Sequence, residues 1–155
     1  MSMSVESIVI ATDLNKTFKA EQKGLDDVQA LQGINMQIKT GQLTALVGPD
    51  GAGKTTFLRL IAGLYKPTAG SLEVLGMDVA KDPQSVQDRI SYMPQKFGLY
   101  EDLSIQENLD LYADLHGVPM NVRKERFARL LKITDLARFT ERPAGKLSGG
   151  MKQKL

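Results

Sequence analysis

The 155-residue sequence contains no cysteine, which excludes a disulfide framework and any thiolate metal site and fits a reducing compartment. Charge imbalance is nearly absent as well: 20 Lys and Arg against 18 Asp and Glu leave a formal net charge of +2. A nucleic-acid partner would require a strongly basic face, so no nucleic acid is expected. No apolar run approaches the roughly 18–20 residues needed to cross a bilayer. Residues 1–7 lack the positive region and apolar block of a signal peptide. A soluble chain is expected, joined to any membrane only through a partner or further sequence. What remains is ordinary: 42% hydrophobic and 25% charged residues, enough chain for one domain with a real core. There is no internal repeat and no low-complexity tract.

The chain opens with short apolar segments. Residues 8–11 read as a strand, and residues 19–27 as a polar loop after Phe18. Ile34, Met36 and Ile38 alternate with polar neighbours, the period of a half-buried strand. Residues 43–47 are continuously apolar, the pattern of a strand buried on both faces. From Lys54 to Ala62 a helix is predicted, with Phe57, Leu58 and Ile61 on one face and Gly63 as its stop. Residues 72–75 and 90–93 read as further strands and 83–88 as a short helix. Ser104 and Glu107 then form a capping box before a helix bearing Ile105, Leu109 and Tyr112. That helix ends near His116-Gly117, where a histidine suits the negative end of the helix dipole. A second helix, about 121–133, carries Phe127, Leu130 and Leu131 on its buried side. Its basic residues Arg123, Lys124, Arg126, Arg129 and Lys132 read as a solvated stripe. Residues 151–155 start another helix.

Gly48-Pro49-Asp50-Gly51-Ala52-Gly53-Lys54-Thr55 matches the P-loop pattern G-x-x-x-x-G-K-[ST], between a predicted strand and a predicted helix. Glycines let the backbone turn so that successive N–H groups point at phosphate oxygens. The following helix brings its positive end to the same place. Lys54 would supply a charge to the β- and γ-phosphates, and the Thr55 hydroxyl a ligand for Mg²⁺. The motif alone leaves kinases, GTPases, helicases and transporter ATPases open.

Leu147-Ser148-Gly149-Gly150-Met151 narrows the choice, because it resembles the LSGGQ signature of ABC ATPases. Tyr92-Met93-Pro94-Gln95 is similar to that family's Q-loop, and Phe18 stands where the family has an aromatic residue against adenine. The four features occur in the family's order and cover essentially the whole chain. The resemblance implies an α/β P-loop NTPase core, incomplete here, with an N-terminal antiparallel β portion and a helical signature subdomain. Residues 1–94 would hold the β portion and core, and residues 95–155 the Q-loop and helical subdomain. It further implies that Phe18 stacks on adenine and that Gly48, Pro49, Asp50, Gly51, Ala52, Gly53, Lys54, Thr55 and Thr56 hold the phosphates and metal. Gln95 would contact Mg²⁺ or the attacking water and sense the transporter partner. Gln95 and Lys54 are the catalytic candidates, and Thr55 and Gln95 the metal candidates. Ser148, Gly149 and Gly150 would bind the γ-phosphate of a second ATP-binding domain in a head-to-tail dimer.

By the same resemblance the cofactors are ATP and Mg²⁺, and the partners a transmembrane transporter subunit and a second ATP-binding domain. The place would be cytoplasmic, on the inner face of the cell membrane. The function implied is that of an ATP-binding subunit coupling hydrolysis to transport. Residues 48–56 and 92–115 look most similar to bacterial exporter ATPases, especially those with two ATPase domains in one chain. The alternative is a soluble, non-transport ABC ATPase acting on ribosomes or DNA; a third reading is a regulatory module that binds but barely hydrolyses. Three positions depart from the pattern: Asp50 replaces asparagine, Met151 replaces the signature glutamine, and the 19–27 loop is longer than usual. The Walker B strand with its Asp-Glu pair is not found, and His116, preceding the signature, is not the family's γ-phosphate histidine. The expectation is a chain that binds nucleotide but does not turn it over efficiently, and whose apolar 43–47 segment has an open edge.

Overall fold

A computed structural model describes residues 7–20, 22, 24–95 and 98–155. They fall into two compact units, Met1–Tyr92 and Met93–Leu155.

The first unit is built on an antiparallel sheet. Strands β1 (Ser7–Phe18) and β2 (Val28–Lys39) form a long hairpin-like pair, and β3 (Ala69–Val74) and β4 (Met77–Asp78) complete the order β2-β1-β3-β4. Val9 and Ala11 of β1 and Leu72 and Val74 of β3 are buried, each pair two residues apart as a one-sided sheet requires. The β1–β2 register breaks between Ala11 and Leu14. There the Asp13 N–H donates to Asn35 Oδ1, and the Gly33 N–H donates to Asn15 Oδ1, so side chains replace the missing ladder bonds. Helix α1 (Lys54–Ile61) covers this sheet's apolar face, with Phe57 and Leu60 buried and Ile61 packed beside them. Burying Leu60 completely is worth about 1.5–3 kcal/mol. Leu58, expected on that face, is 47% exposed. The core phase of α1 is 57, 60, 61, and a residue one step from Phe57 is turned about 100° away. A short helix, α2 (Pro83–Gln87), is capped by Asp82, whose carboxylate accepts the Ser85 N–H, and it buries Val86.

Two expected strands do not form. Residues 43–47 have no strand pairing, and Leu43 is fully exposed, with Val47 at 89%. A strand is held by the hydrogen bonds of a neighbour, and no strand among the described residues lies beside this one. Residues 90–93 are likewise irregular, for the same reason.

The second unit is helical: α3 (Ile105–Leu115), α4 (Met120–Thr134) and α5 (Gly149–Lys154), with 3-10 turns at Ala137–Phe139 and Ala144–Lys146. Its core gathers Ile105, Leu131, Leu136, Ala144 and Leu147. The expected capping box at the start of α3 is present: Ser104 Oγ accepts the Glu107 N–H and Glu107 Oε2 accepts the Ser104 N–H. The next free amides are taken up by the loop before the signature, Ile105 N donating to Arg142 O and Gln106 N to Thr140 O. His116 caps the C-terminal end, as expected. On α4, Leu131 is buried but Leu130 is 52% exposed. Arg123 leaves the solvated stripe: it is buried, donating from Nε to Val118 O at 2.8 Å and pairing through Nη2 with Asp114 at 2.7 Å. The remaining basic residues, Lys124, Arg126, Arg129 and Lys132, are exposed.

Candidate functional site

The glycine loop closes as a turn, with the Ala52 N–H donating to Pro49 O at 3.3 Å. Gly53 is the N-cap of α1, in a left-handed conformation at φ 81°, ψ 3°. Two constraints select glycine here. A side chain disfavours that φ, and a Cβ would stand 2.4 Å from Ala30 O and 2.7 Å from Leu31 Cδ2 of β2. The close approach seats the first turn of α1 against β2, and the Phe57 N–H makes the first helical bond, to Gly53 O at 2.9 Å. No side chain caps this helix. The N–H groups of Lys54, Thr55 and Thr56 therefore stand at the positive end of α1 without a capping acceptor, the arrangement that receives an anion.

Lys54 Nζ donates to Gly48 O at 2.7 Å and to Pro49 O at 2.6 Å. Its ammonium is thus held over the loop by the loop's own carbonyls. Gly51, also left-handed at φ 78°, has open space where a Cβ would stand. Asp50 and Thr55 are exposed, and Thr56 is half-buried on the first turn of α1. These groups fit a polyphosphate: a positive ammonium, helix-end amides without a capping side chain, and glycines at 48, 51 and 53 of the loop. A divalent cation would find the Thr55 hydroxyl here but no cage of acidic residues, since no cluster of three or more His, Asp or Glu exists among the described residues.

Phe18, at the end of β1, is half-buried and meets Tyr65 edge to face, centroids 5.3 Å apart. The loop that follows it is closed by the Lys19–Asp27 pair at 2.9 Å. The Lys19 hydrogen bond, and after it the Ala20 N–H, hold the Asp27 carboxyl below its ordinary range.

The second unit carries the other expected residues. Gln95 is exposed in an irregular segment next to residues 96 and 97, which lie outside the described set. Ser148 is the N-cap of α5 and its Oγ accepts the Met151 N–H at 3.3 Å. Gly149 and Gly150 are exposed in the first turn. The segment is anchored on both sides, by buried Leu147 and by Met151 packed against the same core. Lys152 adds a bond to Glu101 at 2.6 Å.

Sequence reasoning missed Asn108. It is 1% exposed; its Oδ1 accepts the Tyr100 N–H, and its Nδ2 donates to Tyr100 O, Leu103 O and Ser104 O. One carboxamide thus staples residues 100–104 to α3. The available signal was a polar residue three positions after Ile105, on the apolar face of a predicted helix.

Comparison with known proteins bears on the family and the fold. The family model described as "ABC transporter" matches residues 31–155. The chain is 51% identical over 150 residues to "Probable multidrug ABC transporter ATP-binding protein YbhF" of Escherichia coli (strain K12), covering 97% of this chain and 25% of that protein. It is 34% identical over 152 residues to "ABC transporter A family member 8" of Dictyostelium discoideum, covering 98% of this chain and 18% of that protein. Among solved structures, "Dimeric structure of a post-hydrolysis state of the ATP-binding cassette MJ0796 bound to ADP and Pi" superposes with a TM-score of 0.80 at 28% identity, over 94% of this chain and 66% of that one. The chain therefore spans about a quarter of the first of these relatives and less of the second. The fold is the α/β P-loop fold of such cassettes.

Proposed function

Because the chain belongs to the ABC transporter family, we propose that it forms the ATP-binding front of a transporter ATPase, of exporter type. The observation that carries this reading is the uncapped N-terminus of α1 directly after a glycine-rich loop, with Lys54 Nζ held by the loop carbonyls of Gly48 and Pro49. The first-turn amides and Lys54 bind and orient the phosphates. The Lys54 ammonium would exchange its two neutral carbonyl acceptors for negatively charged phosphate oxygens. Thr55 holds Mg²⁺ together with the phosphates, and Phe18 carries the adenine. Bound Mg²⁺ supplies neutralisation of the charge that develops on the transferring phosphoryl group.

Gln95 is assigned to the metal or the attacking water, and Ser148, Gly149 and Gly150 to the γ-phosphate bound by a second ATP-binding domain. The exposed glycine amides at the start of α5 suit that role. Residues 1–94 are assigned to the β portion and nucleotide core and 95–155 to the Q-loop and helical subdomain. A transmembrane subunit is the partner that would place the chain at the inner face of the cell membrane. No helix among the described residues is long and apolar enough to cross a membrane by itself.

The test is titration with a fluorescent ATP analogue and Mg²⁺ beside Lys54→Ala. Binding to the parent that the variant loses supports the assignment; equal binding by both removes Lys54 from it.

A further inference from the structure

The expected base-stacking ring does not stand alone. Around Phe18 and its edge-to-face partner Tyr65, the Lys16 ammonium lies 5.0 Å from the Phe18 centroid and 5.5 Å from the Tyr65 centroid. Both distances are within the reach of a cation–π attraction. The ammonium is fixed there by donating to Lys66 O at 2.9 Å. Arg59 Cζ sits 5.8 Å from the Tyr65 centroid, and Arg59 Nη1 donates to the Tyr65 hydroxyl at 3.1 Å. The backbone beneath is fastened too. The Thr68 N–H and Oγ1 both donate to Asn15 O, and the Thr17 N–H donates to Thr68 Oγ1.

Arg59 belongs to α1, the helix whose first turn holds Lys54, Thr55 and Thr56. A continuous series of contacts thus runs from the phosphate-binding helix through Arg59 and Tyr65 to Phe18, with Lys16 closing the stack. We propose that Lys16, Tyr65 and Arg59 are positioning residues for the nucleotide base: they hold the Phe18 ring in one orientation and tie it to the phosphate helix. The inference rests on the reading that Phe18 carries adenine. Its physical content is preorganisation. A ring already ordered gives up less side-chain freedom when a base stacks on it, and a cation on the ring favours one arrangement of its quadrupole.

The experiment compares binding of ATP and of inorganic tripolyphosphate by the chain and by Lys16→Met, Lys16→Arg, Tyr65→Leu and Phe18→Ala. Lys16→Met is expected to weaken ATP binding about two- to fivefold, the worth of one exposed cation–π contact. Tripolyphosphate binding should be unchanged, and Lys16→Arg should restore the parent value. Tyr65→Leu should weaken ATP binding more than Lys16→Met, because it removes both the edge contact and the link to Arg59. Weakening of both ligands alike by Lys16→Met overturns the proposal, since it would place Lys16 on the phosphates or on folding. If Phe18→Ala weakens ATP and Lys16→Met does not, the positioning role fails while the base reading stands. An unaltered ATP affinity in Phe18→Ala sinks the base reading and this proposal with it.

Discussion

Replacing Gly53 with alanine perturbs the point on which the glycine loop proposed to hold phosphate turns into α1. An L-residue at φ 81° incurs about 1–2 kcal/mol of left-handed strain. The added Cβ would also stand 2.4 Å from Ala30 O. Ordinary carbon–oxygen contact begins near about 3.3 Å, so α1 and β2 must separate by nearly an ångström. The opposing atom is a strand carbonyl and cannot swing aside as a side chain could. Overpacking of this kind costs about 1–3 kcal/mol, for a total of roughly 2–5 kcal/mol. Gly51 is the internal control: it has φ 78° and nothing within 4 Å of its Cβ position. Gly51→Ala therefore carries only the strain of about 1–2 kcal/mol. Urea unfolding of the three proteins, with matched slopes, measures the difference. Gly53→Ala should be the less stable variant by about 1–3 kcal/mol, and both should bind ATP more weakly than the parent. Stabilities equal within about 0.5 kcal/mol would refute the argument, because the α1–β2 contact would then have yielded without resistance.

Asn108→Leu keeps an apolar face on α3 but removes four hydrogen bonds and leaves the Tyr100 amide without its acceptor; a loss of about 2–4 kcal/mol is expected in denaturant unfolding. Arg123→Ala should cost about 1–3 kcal/mol through the orphaned Val118 carbonyl and the lost Asp114 pair, whereas Lys124→Ala on the exposed face should stay within about 0.5 kcal/mol of the parent. The Glu107 carboxyl is held below its ordinary range by the Ser104 N–H first and the Ser104 hydroxyl second. A lowered folded-state pKa gives stability that is present above the unfolded value and lost as pH falls through the folded one. Glu107→Gln should therefore melt below the parent at pH 7 and converge with it as pH falls below the ordinary carboxylate range; an undiminished gap in acid would contradict the assignment.

What could be read in advance was local. The capping box needs only Ser104 and Glu107 three residues apart, and both of its bonds form. The glycine loop and the helix after it follow from residues adjacent in sequence, as do the His116 cap and the turn at α5. Misreadings arose where the deciding partner was distant. The apolar run 43–47 is a strand only if another backbone lies beside it, and its composition cannot say whether one does. Leu58 and Leu130 are as apolar as Leu60 and Leu131, yet helix phase turns them outward. Arg123 looked like its basic neighbours because nothing in the sequence marks Asp114 and the Val118 carbonyl as its partners. Asn108 left one trace, a polar residue on an apolar helix face, but its partners Tyr100, Leu103 and Ser104 are not marked in the sequence.

The contrast between residues 43–47 and the loop they lead into says where the cradle gets its form. A strand feeding the loop is absent among the described residues, yet Gly53 still caps α1 and Lys54 still reaches two loop carbonyls. Among the described residues the restraint comes from the helix and the sheet beneath it. Phe57 and Leu60 press α1 onto the sheet, Gly53 lets its first turn sit against Ala30 and Leu31, and Arg59 links the helix to Tyr65. The amides assigned to phosphate are thus oriented by a helix seated on the antiparallel sheet, while the backbone preceding Gly48 has no strand partner among the described residues. The same helix carries the residues assigned to phosphate and metal and, through Arg59 and Tyr65, the support for the ring assigned to the base. A nucleotide reaching this unit would meet groups whose spacing is already set by packing, which is the condition under which binding energy goes to contacts and not to ordering.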